Sequence, residues 1–182
     1  MAHIHLPDGE PGIIGPLLAY RDTEKHLNSF CQALMRGPSS LTEADRELIA
    51  TYVSAGNECY FCTNSHAAAT RHLLGDQSGL VSNVLANPAT AGISERQQAL
   101  LVIAGKVRVD GRHVSEADIL RARQAGADDK AIHDTILIAA AFCMFNRYVD
   151  GLATWSPRDP AVYEEIGARI ATQGYGSRFR TG

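Results

Sequence analysis

This 182-residue chain has no large charge of either sign, no long apolar run and no strand-like segment, and each absence removes a class of function. Seventeen basic and twenty acidic residues leave a formal net charge of −3, so no basic field is available to hold nucleic acid or an anionic membrane. The cluster Arg178-Phe179-Arg180 reads as a solvated tail. The longest apolar run, Ile136 to Phe145, is ten residues, about half of the roughly 20 needed to span a bilayer. A buried core helix is the expected use of it. The N-terminus, MAHIHLPDGEPGIIG, lacks the charged segment and apolar stretch of an export signal, which points to the reducing cytosol. There, two of the four cysteines standing close together are more often catalytic or metal-binding than a structural disulfide.

What is present is helical pattern. The length suits a single domain, 1–182, able to bury a core without disulfides or structural metals. Residues 1–15 carry proline and glycine breaks and read as an extended arm; 174–182 read as a flexible tail. Between them, Leu27, Phe30, Cys31 and Leu34 recur at helical spacing until Gly37-Pro38. Thr42 opens a second helix that Gly56 ends. A third is expected from Asn57 to Gly75, and a short one over 79–86. Ser94 and Gln97 form a capping box, and Ser115 caps the next helix before Gly126. The longest and most apolar helix follows, then one from Pro160 to about Thr172. The expected class is all-α, with about seven or eight helices. Apolar residues on several faces of the Ile136–Phe145 run suggest burial on several sides, against a second subunit among them. LTEADRELIATYV and ISERQQALLVIAGKV echo one another faintly.

The stretch ECYFCTNSH, residues 58–66, carries the chemistry. On a helix, Cys59, Cys62 and His66 fall within an arc of roughly 60°. Cys59 is expected in the first turn, where unpaired N–H groups and the helix dipole favour a thiolate. His66 is placed to accept a proton from Cys62 or to pair with it. Several readings compete. A zinc site wants four ligands, and this stretch offers three, with His72 on the far side of the helix. Covalent haem needs CxxCH, but Thr63 follows Cys62. An iron–sulfur cluster is short of cysteines. A coincidental structural pair stays open, and a redox dithiol carries most weight. A thioredoxin setting is excluded by the lack of a βαβ pattern. Upstream, Glu47 returns to the dithiol if its helix packs against the next one; Glu43, Asp45 and Glu58 are alternatives.

Glu47, Cys59, Cys62 and His66 spell E-x11-C-x2-C-x3-H. This pattern resembles the signature of the alkylhydroperoxidase D (AhpD)-like branch of the carboxymuconolactone decarboxylase superfamily. EPGIIGPLLAY at the start and FNRYVDGLA near the end resemble its peroxidase-related subgroup, and the likeness runs from about Glu10 to Tyr175. The resemblance implies an AhpD-like helical bundle and a homo-oligomer, a trimer or a hexamer built from dimers. It implies that Cys62 attacks a hydroperoxide, that Cys59 resolves the product into a Cys59–Cys62 disulfide, and that His66 and Glu47 relay protons. The reductant would be an external dithiol, lipoyl-bearing in the best-known members, with no haem, flavin or metal cofactor. One position departs: Phe61 stands where the best-known member has a histidine. Tyr60 and Phe61 are candidates to line a pocket for an organic hydroperoxide. Lactone decarboxylation is not expected, because the decarboxylases lack the cysteine pair.

Other polar residues have plainer readings. His133 and Asp134 at one end of the long helix, and Asn146, Arg147 and Asp150 at the other, are expected at solvent or a subunit boundary. Cys31 and Cys143 read as core, His113 and the arm's His3 and His5 as exposed. A redox sensor without turnover and a metal-binding protein stay open as alternative functions.

Overall fold

The computed structural model describes residues 2–176, so Arg178-Phe179-Arg180 lies outside the described residues. Nine α-helices occur there: α1 (Ile14–Ala19), α2 (Arg21–Arg36), α3 (Glu43–Gly56), α4 (Tyr60–Leu74), α5 (Leu80–Ala86), α6 (Glu95–Val109), α7 (Glu116–Gln124), α8 (Asp129–Gly151) and α9 (Pro160–Gln173). No strand occurs among the described residues, and none of the helices is long and apolar enough to cross a membrane. The all-α expectation holds, with one more helix than the seven or eight anticipated. The addition is α1, six residues without a side-chain cap, too short to show a period. Its Pro16 falls in the first turn, where no backbone N–H is required.

The anticipated caps are made. Thr42, Ser94 and Ser115 each accept from the residue three positions on, which returns the bond to the cap. The boxes of α3 and α6 are also joined, Gln97 Nε2 donating to Asp45 Oδ1 at 2.7 Å. The buried Arg46 donates to the carbonyls of Leu34 (3.1 Å) and Gly37 (2.8 Å), closing the C-terminal end of α2.

One boundary differs from expectation in a way that matters. Asn57 does not open α4. The chain leaves α3 through a Schellman turn: Glu58 N–H reaches Ala55 O at 3.0 Å and Cys59 N–H reaches Ser54 O at 3.1 Å. Glu58 takes the left-handed position at φ 60°, where glycine is usual. Cys59 then serves as the N-cap residue of α4. The same turn ends α8, with Ala153 at φ 50°.

Two buried clusters share α8. The larger gathers α2, α3, α6 and α8 around Met35, Val53, Leu101, Ile103, Ile138 and Phe142. The smaller joins α4, α9 and the end of α8, and contains Cys59, Cys62, Val149, Tyr163 and Ile166. Helix α8 is thus buried on several sides, while Met144 remains 45% exposed. Its polar N-terminal end is only partly a solvent boundary. Asp134 is buried and accepts from Ser39 Oγ (2.6 Å) and Lys130 Nζ (2.5 Å), tying α8 to the segment before α3. The N-terminal arm is strapped down by His3 N–H to Leu152 O (2.9 Å) and Gly12 N–H to Trp155 O (2.8 Å).

Helices α4 and α9 approach closely because their contact is built from small residues, Ala68 and Ala69 against Gly167. A Cβ on Gly167 would fall 2.5 Å from Ala68 Cβ and 2.6 Å from the Ala69 backbone nitrogen. Gly167→Ala should therefore push α9 from α4 and lower stability by roughly 1–3 kcal/mol. Thermal or denaturant unfolding would measure this, and an unchanged midpoint would contradict the close approach.

Candidate active site

The site is organised around one carboxylate. Glu47, on the second turn of α3, has no exposure to water. Its Oε1 accepts from Arg36 Nη2 at 2.7 Å and from the Tyr175 hydroxyl at 2.6 Å. Its Oε2 meets His66 Nδ1 at 2.7 Å. Burial alone would raise the Glu47 carboxyl; the bond to His66, the charges of His66 and Arg36, and the Tyr175 hydroxyl outweigh it and hold the group below the ordinary carboxylate range. An ionised carboxylate has only acceptors, so Nδ1 carries a proton and Nε2 is the basic nitrogen of the neutral ring. The ring is fixed edge-to-face on Phe142, with centroids 4.6 Å apart, and lies nearly parallel to Tyr175 at 6.2 Å.

One helical turn before His66 stands Cys62, and the Schellman turn delivers Cys59 beside it. Both are buried free thiols. No side chain caps α4, so its first N–H groups lie uncapped next to the dithiol. The Cys62 thiol is pushed well above its usual range by hydrogen bonding to Cys59, by burial and by negative charge on Cys59, in that order; the Asn146 amide pulls the other way. Two sulfurs this close resist carrying two negative charges.

Cys62 and His66 open onto one cavity of about 90 Å³, room for a small organic molecule's reacting end. Phe61, Phe142, Ile166 and Ile170 make its lining mostly apolar, and Cys31, Tyr175 and Arg169 also reach it. The arm closes against Phe61: a Cβ on Gly12 would fall 2.1 Å from that ring.

The structure brings Glu47 and His66 into direct contact and places Cys62, His66 and Phe61 on one cavity. Glu47 meets His66 rather than the sulfurs. Tyr60 lies outside the cavity, 40% exposed, against Tyr163 and the Arg158 guanidinium. Three residues had no sequence signal for this site: Arg36, Tyr175 and Asn146. Tyr175 falls within the stretch expected as a flexible tail, yet its N–H also holds Gln32 Oε1 at 2.8 Å. Asn146 was expected at a solvent or subunit boundary, but it is buried and bonded to Asn57 and Ser54. Cys31 is core, as expected, and also cavity wall. Among the described residues no group of three or more His, Cys, Asp or Glu side chains is placed to hold a metal ion.

Comparison with known proteins agrees with this geometry. A profile of the carboxymuconolactone decarboxylase family matches residues 21–104, which include Glu47, both cysteines and His66. An uncharacterized peroxidase-related protein from Silicibacter sp. TM1040 is similar, with 31% identity and a TM-score of 0.74 over 82% of this chain and 78% of that one. A Ralstonia eutropha JMP134 protein described as an alkylhydroperoxidase AhpD core, uncharacterized and peroxidase-related, shares 28% identity, with a TM-score of 0.77 over 87% of this chain and 81% of that one. A protein of unknown function from Agrobacterium tumefaciens shares the fold, at 20% identity and a TM-score of 0.65, over 81% of this chain and 99% of that one. No curated protein matches the chain.

The buried charges set two expectations. Arg36→Met leaves Glu47 buried with its permanent cation gone, and should cost about 3–5 kcal/mol in denaturant unfolding. The depressed Glu47 pKa stabilises the fold fully above the ordinary Glu value of about 4.3, and this contribution is lost as pH falls through the lower folded value. Acid unfolding followed by circular dichroism should therefore steepen below about pH 4. In Glu47→Gln that limb should flatten, with lower stability at neutral pH.

Proposed function

We propose, from the premise that the chain belongs to the carboxymuconolactone decarboxylase family in its AhpD-like, peroxidase-related branch, that it is a cysteine-based reductase of organic hydroperoxides. One observation carries this reading: Cys62 shares an apolar cavity with His66, whose Nδ1 is held at 2.7 Å by an ionised, fully buried Glu47. Arg36 and Tyr175 occupy Oε1 and so keep Oε2 for the histidine.

In the first step His66 Nε2 takes the Cys62 proton as the sulfur attacks the hydroperoxide. The O–O bond breaks, the alkoxide leaves with the proton returned by His66, and Cys62 becomes a sulfenic acid. Glu47 stabilises the imidazolium in between and keeps the ring in one tautomer. Cys59 then attacks the oxidised sulfur; water leaves and a Cys59–Cys62 disulfide forms. An external dithiol, of lipoyl type in the resemblance, restores both thiols through a mixed disulfide. Coupling deprotonation to attack suits a thiol held above its usual range. The reaction would take place in the cytosol, and the exposed Met144 on α8 favours self-association of the chain.

A second reading is a dithiol–disulfide exchanger or redox sensor without efficient peroxide turnover. It is favoured by Phe61, which removes a histidine from the relay, and by the raised Cys62 thiol.

Single-turnover oxidation separates the two. Reduced protein would be mixed with cumene hydroperoxide or hydrogen peroxide, and the thiols followed by mass spectrometry. A peroxidase forms the 59–62 disulfide quickly, stops at Cys62 sulfenic acid in Cys59→Ser, and does nothing in Cys62→Ser. His66→Ala should slow the first step by about 10²–10⁴-fold. Oxidation of wild type no faster than that of a free thiol would leave only exchange or sensing.

A further inference from the structure

Behind the dithiol, away from Glu47, a chain of polar groups runs through the end of α8. Its orientation can be read from one end to the other. Cys143 donates its S–H to Arg108 O at 3.7 Å, so its sulfur acts as acceptor toward Asn57. Asn57 therefore presents its NH2 group, which reaches Cys143 Sγ at 3.5 Å and Asn146 Oδ1 at 2.8 Å. With its carbonyl so occupied, Asn146 turns its own NH2 inward, where it donates to Ser54 Oγ at 3.0 Å. Ser54 is the residue whose carbonyl accepts the Cys59 N–H in the Schellman turn. Asn146, Ser54 and both sulfurs are buried together, and the amide lies within hydrogen-bonding reach of Cys62. A flipped Asn146 would set its NH2 against the NH2 of Asn57.

We propose that Asn146 is a catalytic residue of the dithiol, its second amide hydrogen donating to the Cys62 sulfur and stabilising negative charge there, with Asn57 and Cys143 as the positioning residues that fix which end of the amide faces inward. This deepens the preceding section and rests on its reading of Cys62 as the reacting thiol. A donor aimed at a buried thiolate is a charge-assisted hydrogen bond, stronger than a neutral one. It opposes burial and the neighbouring sulfur, both of which disfavour the thiolate. It also stays in place when the sulfur is oxidised, so it serves the attack without rearrangement.

The other groups around Cys62 are Cys59 and His66 on its own helix, Asp150 on α8, Tyr163 on α9 and Cys31 across the cavity. Glu47 stands behind His66, and Arg169 lies at the cavity wall. Asp150 and Cys59 oppose a Cys62 thiolate; Asn146 favours it.

The test is the pH dependence of Cys62 alkylation by iodoacetamide in a Cys59→Ser background, read by mass spectrometry from about pH 6 to 10. It uses no hydroperoxide, so a chain that fails as a peroxidase can still pass. Adding Asn146→Leu should shift the rate profile up by about one pH unit, roughly tenfold slower at pH 7. Asn57→Leu, which leaves the Asn146 amide free to turn its carbonyl toward sulfur, should shift it the same way by less. Asp150→Asn should shift it down, and less so in high salt. An unchanged profile in a folded Asn146→Leu protein overturns the proposal. Should that variant not fold, an unchanged profile in Asn57→Leu overturns it equally.

Discussion

A carboxylate without water is the constraint on which the rest depends. Glu47 is ionised at zero exposure, a state that a protein interior tolerates only with compensating partners. Each partner comes from a different place: Arg36 from the end of α2, His66 from α4, Tyr175 from beyond α9. The charge therefore pins three segments distant in sequence. One consequence is chemical: the histidine ring has a single tautomer and a single orientation, with its basic nitrogen left for the cavity.

The second constraint is a turn. Cys59 ends one helix and begins the next, at the cost of a left-handed Glu58, which is worth of order 1–3 kcal/mol. That geometry sets the two sulfurs at the uncapped N-terminus of α4, between the Glu47–His66 pair and the Asn57–Asn146–Ser54 chain. A dithiol with an acid–base pair on one flank and an amide donor on the other has its proton traffic and its charge stabilisation in separate places. The close α4–α9 crossing at Gly167 and the strapped N-terminal arm then supply the apolar walls.

Much of this was open to inspection in the chain itself. Helical periods and capping boxes are local, made within one or two turns, so α3, α6 and α7 could be placed nearly to the residue from Thr42, Ser94 and Ser115. The spacing of Cys59, Cys62 and His66 is local too, and Glu47 could be nominated from the helix just before. The short α1 escaped because six residues without a cap carry no period. The start of α4 was misplaced because a Schellman turn normally announces itself with glycine, and here the position holds glutamate.

By itself, then, the sequence determined an all-helical chain, a thiol pair and a histidine on one helix face, and the pattern that relates it to a known family. Only the tertiary structure decided which buried groups meet. Arg36 lies 2.7 Å from Glu47 and Tyr175 2.6 Å, but neither has a periodicity or motif that points there. Asn146 sits in a polar helix end that pattern alone assigns to solvent. A buried polar group is located by what must satisfy it, and its partners are set by how helices pack rather than by spacing along the chain. That is why the local chemistry could be read from residues 58–66, while its electrostatics had to await the fold.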